Sequence, residues 1–287
     1  MKIGSKPTLF GKRVLITGAA RGIGAALARR LYERGARVAV VGLEPNKLEE
    51  VAHSCGDGPW AICDVANRAQ VDSVVRTAAE ALGGLDVVVA NAGIASQLPL
   101  IGGEPEMMDR TIKVNLLGVY NTFRAAGPHI SHSSGYALMV SSLAAAVHLP
   151  MMGAYSASKA GVEALGNTLR IELRPSGARV GVAYFASLDT DMTRLGFGTE
   201  AARALPATRR FIHVTPLEVG INALERGIAR RARRVVAPRW MAPALPFRMI
   251  VQAVADRVTR PRLARVLEIA RAEKASLTTT QPEEPDE

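Results

Sequence analysis

Tyr155 and Lys159 stand four positions apart, one helical turn, so a phenol and an ammonium share one helix face. A cation in that position stabilises a phenolate, and the pair can give or take one proton. Free tyrosine ionises near pH 10, so a base useful near neutrality needs its ionised form stabilised by about 4 kcal/mol. Far earlier in the chain, Thr17-Gly18-Ala19-Ala20-Arg21-Gly22-Ile23-Gly24 follows the apolar run Val14-Leu15-Ile16. That order reads as strand, glycine turn and helix start, a geometry in which backbone N–H groups and the helix dipole hold a pyrophosphate.

The elements that must position these groups alternate. Residues 14–17, 37–41, 60–63, 87–90, 136–140, 180–184 and 234–237 are short apolar runs that read as strands. Residues 25–34, 67–82, 106–129, 154–173 and 216–230 carry helical patterns, with Gly35 and Gly83-Gly84 as carboxyl-terminal caps. Alternation of this kind predicts an α/β fold, a doubly wound parallel sheet with right-handed crossovers, in a single domain. Residues 192–215 lack a period and follow a strand at the ligand-binding edge, which predicts an irregular mobile lid. The catalytic domain is expected over residues 1–238, a helical extension over 239–275 and a disordered, acidic tail over 276–287.

The chain has 287 residues, 48% hydrophobic and 22% charged, which suits one large core. Its net charge of +10 comes from arginines scattered over helices and concentrated between Arg226 and Arg271. Base-stacking aromatics are not interleaved with them, so nucleic acid is not the expected partner. Cys55 and Cys63 lie in no metal-ligand or Cys-x-x-Cys pattern, so neither a metal nor a disulfide is expected. Residues 1–12 lack the apolar stretch of a signal peptide and no run of about 18 apolar residues occurs, so the expected location is cytoplasmic.

The spacing Gly18-x3-Gly22-x-Gly24 resembles the short-chain dehydrogenase/reductase family. So do Asp64-Val65 after the third strand, Asn91-Ala92-Gly93 after the fourth and Asn115 in the following helix. Ser142, thirteen positions before Tyr155, completes with Lys159 a set similar to that family's Asn-Ser-Tyr-Lys tetrad. The resemblance spans about residues 10–238 and implies a Rossmann-type sheet and a hydride-transferring oxidoreductase acting on CH–OH groups. It implies that Gly18, Arg21, Gly22, Ile23 and Gly24 hold the cofactor pyrophosphate, that Asp64 and Val65 contact adenine, and that Asn91, Ala92 and Gly93 form a structural turn. Tyr155 would move the proton, Ser142 hydrogen-bond the same substrate oxygen, Lys159 bind the nicotinamide ribose and Asn115 position a water. The backbone of Leu188 and the hydroxyl of Thr190 would hold the carboxamide, although Phe185-Ala186 replaces the family's usual Pro-Gly. Similar proteins associate through two long helices, here 106–129 and 154–173, which implies a homodimer or homotetramer.

Cofactor choice turns on Val40-Val41-Gly42-Leu43-Glu44. The acidic residue that would bind both ribose hydroxyls is missing at Gly42, and an arginine that would bind a 2′-phosphate is missing at Leu43. Arg21 can neutralise a 2′-phosphate and Glu44 can reach a ribose hydroxyl; NADP is favoured, with NAD the alternative. Residues 143–153 are nearly all apolar and, with Leu98, Leu195, Phe197 and Leu205, are expected to line a pocket for an apolar alcohol or ketone. His148 is read as incidental. Residues 240–267 mix apolar side chains with arginines; packing against the subunit or a partner is favoured over rest on an anionic membrane. A nicotinamide-sensing or membrane-surface binding protein on the same fold is the rival reading, and the presence of both Tyr155 and Lys159 speaks against it.

Overall fold

A computed structural model of the chain describes residues 9–205, 213–273 and 276–278. Seven parallel strands form one sheet: β1 (Arg13–Thr17), β2 (Arg37–Gly42), β3 (Trp60–Ile62), β4 (Val87–Ala90), β5 (Tyr136–Val140), β6 (Arg179–Phe185) and β7 (Arg234–Ala237). Their order is β3-β2-β1-β4-β5-β6-β7, in parallel register throughout. This is the Rossmann-type α/β architecture, whose strand order reverses between β1 and β4 and leaves a crevice at the strands' carboxyl ends.

The strands are apolar nearly end to end because helices cover both faces. Alternate residues serve two cores: Val14, Ile16, Val38, Val40, Val87, Val89 and Leu138 point to one, and Leu15, Ala39, Val41, Val88, Ala90 and Met139 to the other. On the first side lie α1 (Gly22–Glu33), α2 (Pro45–Ser54) and, later in the chain, α9 (Leu217–Arg230); on the second lie α3 (Arg68–Leu82), α5 (Gly118–Ile130) and α6 (Gly153–Glu172). Gly83, in the left-handed region, caps α3 as expected.

Several elements depart from expectation. The helix anticipated over 106–129 is three pieces, α4 (Pro105–Ile112), a π-helical turn (Lys113–Leu117) and α5. That turn carries Asn115, wholly buried, whose amide is claimed from across the fold. The expected irregular lid is instead α7 (Asp191–Phe197) and α8 (Glu200–Ala204), with residues 206–212 outside the described residues. Past the sheet, the extension folds as a 3₁₀ turn (Arg239–Ala244), α10 (Arg248–Thr259) and α11 (Leu263–Glu273), broken at Pro261 and Arg262.

Thr278, assigned to the disordered tail, is buried and joined to Ala95 by two hydrogen bonds: its N–H donates to the Ala95 carbonyl at 3.0 Å and its Oγ1 accepts from Ala95 N–H at 3.1 Å. The remaining tail, 279–287, lies outside the described residues.

Candidate active site

The glycine turn is pinned from several directions. Asn91 donates its amide to the carbonyls of Thr17 and Gly18, both at 3.0 Å, while the N–H groups of Asn91 and Ala92 donate to Thr17 Oγ1 at 3.0 and 3.2 Å. A Cβ on Gly18 would stand 2.6 Å from Ala92 Cα, and one on Gly24 would meet the Gly18 carbonyl and the Asn91 amide. Gly22 differs: a side chain there would find only the Thr190 methyl, 3.8 Å away. Open room therefore faces the first turn of α1, which has no side-chain cap and no acidic residue. Its amides have no intrahelical acceptor. A pyrophosphate fits this cradle by shape and by charge.

Around the same cavity lie Gly18, Arg21, Gly22, Ile23, Asp64, Val65, Asn91, Ala92, Gly93, Ser142, Tyr155, Lys159, Leu188 and Thr190. Gly24 and Asn115 sit one layer behind. Thr190 caps α7, accepting from Thr193 N–H at 3.3 Å and donating to the Leu188 carbonyl at 3.4 Å. Leu188 lies in a short bridge to Thr215 made by the peptide groups of Ser187 and Asp189. The peptide groups of Leu188 itself thus face away from that bridge, while its side chain is buried. Phe185 does not distort the loop as its bulk suggested: it is the last residue of β6, paired with Ala237, and its ring is buried in the core.

Asp64 is already engaged. Arg110 donates to it at 2.7 Å and Ala66 N–H at 2.9 Å, so its carboxylate is a fixed wall of the cavity. Arg21 is engaged as well: Nε donates to Glu44 at 2.6 Å, a second guanidinium nitrogen bonds the other oxygen, and Lys47 Nζ reaches the same carboxylate at 2.8 Å. The guanidinium beside it holds the Glu44 carboxyl below the usual carboxylate range, against the opposing effect of burial. Sequence reasoning named Arg21 and Glu44 as rival binders; the structure makes them partners.

At the other end Ser142 and Tyr155 line the same cavity. The Ser142 hydroxyl accepts from Ala144 N–H at 3.1 Å and donates to the Phe185 carbonyl at 3.3 Å. Burial raises the Tyr155 phenol's pKa, and the nearby Ser142 side chain only partly offsets it. Lys159 Nζ lies 5.5 Å from the Tyr155 ring centre and donates to the Val140 carbonyl at 3.0 Å; burial pushes its ammonium down to about 8. The expected depression of Tyr155 by Lys159 is therefore not met in this protein alone. Desolvation dominates both groups, raising the acid and lowering the cation.

Asn115 closes the arrangement. Its Oδ1 accepts from Ile94 N–H at 2.8 Å, and its Nδ2 donates to the Ile94 carbonyl at 2.9 Å and to Ser158 Oγ at 3.1 Å. Both amide protons are spent on the fold. Asn115 Oδ1 and Lys159 Nζ flank the bare face of Gly93, 3.3 and 3.4 Å from where its Cβ would be. The neighbouring Ser141 points the other way and donates to the Lys159 carbonyl at 2.9 Å, which steadies α6.

The apolar loop 143–153 does not line the cavity as predicted. Leu143 and Ala146 pack with Val182, Tyr184 and Leu245, and Met151 packs with Ala201, Leu205, Val266 and Ala270. Leu195 is exposed, Leu205 is buried in that cluster, and Leu98 bridges to Met152. The wall that sequence reasoning missed comes from α7, as Asp191, Met192 and Thr193. Thr190 and Thr193, three apart, were its available signal as a helix start.

A family model for short chain dehydrogenases matches residues 12–200. The chain belongs to the short-chain dehydrogenase family. It is 38% identical over 205 residues to a short-chain dehydrogenase/reductase of Hericium erinaceus, covering 68% of this chain and 81% of the relative. It is 32% identical over 188 residues to an uncharacterized oxidoreductase of Staphylococcus aureus, covering 64% and 81%. A glycine betaine reductase of Emericella nidulans is 35% identical over 201 residues, 68% of this chain; the chain spans only 16% of that relative's length. Membership makes the chain an oxidoreductase of this family on a fold that implies NAD(P) binding.

Proposed function

We propose that this protein is an NAD(P)-dependent oxidoreductase that interconverts a secondary alcohol and a ketone, or an aldehyde, on a mostly apolar substrate. The observation that carries the reading is that Ser142, Tyr155 and Lys159 line one cavity, with Lys159 buried and tied to the Val140 carbonyl. When bound, NAD(P) supplies or accepts the hydride. Tyr155 gives a proton to, or takes it from, the substrate oxygen, and burial keeps the phenol protonated at rest, ready to donate in reduction. Ser142 hydrogen-bonds the same oxygen and fixes its direction. Lys159, tied by one proton to the Val140 carbonyl, keeps donors for the cofactor ribose and brings positive charge near the phenol. The α1 amides receive the pyrophosphate, and Thr190 with the Leu188 backbone holds the carboxamide.

NADP is the favoured cofactor. Arg21 and Lys47 converge on Glu44, with Asp191 a weaker second partner of Arg21 at 3.9 Å, where β2 ends without an acidic residue at Gly42. A 2′-phosphate reaching that corner would compete with Glu44 for both. Exposed Leu117 and Tyr120 beside α5, and Ile171 on α6, support association of subunits through these helices.

The test is turnover. Following NADPH and NADH oxidation against a panel of steroid, retinoid and long-chain ketones should give activity that Tyr155→Phe reduces by about 10²-fold or more, with cofactor fluorescence titration unchanged. Cofactor binding with no turnover on any member would favour a sensor instead.

A further inference from the structure

α10 splits its apolar residues between two faces. Arg248, Val251, Gln252, Val258 and Thr259 lie toward the protein: Arg248 bonds both oxygens of Glu163 on α6, at 2.8 and 3.3 Å, Val258 packs against the cluster of Met151 and Val266, and Thr259 is the helix's buried residue. Gln252 clasps His148, accepting its N–H at 2.7 Å and donating to its carbonyl at 3.0 Å. Phe247, Ile250 and Val254, spaced three and four apart, lie on the opposite side and are 58, 65 and 55% exposed. Met249 is 80% exposed, and Trp240 in the preceding turn 65%. A surface helix ordinarily turns its apolar stripe inward. Here part of the apolar surface is turned outward: the expectation that this segment's apolar residues pack on the subunit is met by Met241, Leu245 and Val258 and not by Trp240, Phe247, Ile250 and Val254.

The charges say what covers such a face. Arg257 continues the stripe three residues after Val254, and Arg239, Arg260, Arg262 and Arg265 flank it in sequence. None of these five forms an ion pair among the described residues. Residues 239–273 hold seven arginines against three carboxylates. A second copy seated about a twofold axis would set the same arginines against one another. A negatively charged lipid surface neutralises them while its acyl boundary receives the apolar side chains.

We propose that α10 and its flanking arginines form a peripheral docking surface for an anionic lipid bilayer, with the helix lying in the interface plane and Phe247, Ile250 and Val254 inserted. Among the described residues no helix is long and apolar enough to cross a membrane, which agrees with a contact at the surface. The Gln252–His148 clasp joins this helix to the loop between Ser142 and Tyr155, so docking would bring the substrate side of the protein to the source of apolar molecules. The proposal does not rest on the reaction assigned above.

Full-length protein is sedimented with vesicles of phosphatidylcholine alone and of phosphatidylcholine mixed with phosphatidylserine. Binding to the anionic vesicles should exceed that to neutral ones by about tenfold or more and fall at about 1 M salt, where the screening length is near 3 Å. I250E/V254E should abolish it, and R257Q/R262Q should weaken it roughly fivefold or more per arginine removed. Both variants should keep the wild-type cofactor titration and thermal unfolding, since the altered side chains are exposed. Equal vesicle binding by wild type and I250E/V254E, or none by wild type, would overturn the proposal. Loss of a wild-type oligomer in I250E/V254E without vesicle binding would do so too, and would assign the face to a second copy.

Discussion

The cofactor cradle is held by near neighbours in the sheet, and α8, which follows the cavity wall of α7, by the far end of the chain. At the first, β1, β2 and β4 lie side by side, and short hydrogen bonds from Asn91 and from Ala19 N–H to the Val41 carbonyl set the glycine turn. At the second, α8 has its first amides capped by Glu273, whose oxygens accept from Glu200 N–H at 2.6 Å and Ala201 N–H at 3.1 Å. Arg271 adds a bond to the Ile101 carbonyl at 3.1 Å, and Thr278 adds its pair to Ala95. Rigid, backbone-built recognition suits a constant ligand such as a dinucleotide. A helix fastened by a carboxyl-terminal strap can vary while the cofactor cradle stays as it is.

The largest expected effect breaks the cofactor end. Gly18 has φ +63° and its added Cβ would meet Ala92 backbone, which cannot give way as a flexible side chain could. Gly18→Ala should lower unfolding free energy by roughly 3 kcal/mol or more and abolish NADPH binding. A urea midpoint at the wild-type value would show that the turn is not packed as described.

Next comes the buried cation between the two ends. The Lys159 ammonium, pushed down to about 8, binds fewer protons folded than unfolded between about pH 8 and 10.5, so its burden on stability is full below pH 8 and lifts as pH rises through that window. Lys159→Met should therefore be more stable than wild type at pH 7 by up to about 3 kcal/mol, less whatever the lost bond to Val140 contributed, although activity is lost. The advantage should shrink towards pH 10. A stability difference independent of pH would remove desolvation as the cause.

At the start of α8 Glu273→Ala should cost about 1 kcal/mol, as two charge-assisted hydrogen bonds at a partly exposed helix start disappear. Amide exchange at Glu200 and Ala201 should quicken while cofactor affinity holds. Unchanged exchange there would mean the strap does not fasten α8. The smallest effect sharpens cofactor choice: Glu44→Gln removes the nearest internal anion and should tighten NADPH roughly twofold to fivefold over NADH, within the range for one exposed charge pair. A shift towards NADH would reverse the assigned role of Arg21.

Much of this was legible in the chain itself. Runs such as Val87–Ala90 could only be strands buried on both faces, and a glycine turn between a strand and an alanine-rich helix has few other uses. Tyr155 and Lys159 were placed together by helical spacing alone. All of these are local signals, read within one or two turns of chain, and the parallel order follows from their alternation.

Tertiary contact decided the rest. Whether Arg21 and Glu44 compete or pair depends on how the glycine turn and the loop after β2 approach each other. That the apolar loop 143–153 is core and not pocket depends on Val182, Leu245 and Val266 arriving from elsewhere. Arg248 and Gln252 of α10 face inward because Glu163 and His148 meet them there, while Ile250 and Val254 stay exposed. A helical period shows that a segment has two faces; only the partners brought up by the fold determine which of them is buried, since burial free energy depends on the surface met and not on the pattern that meets it.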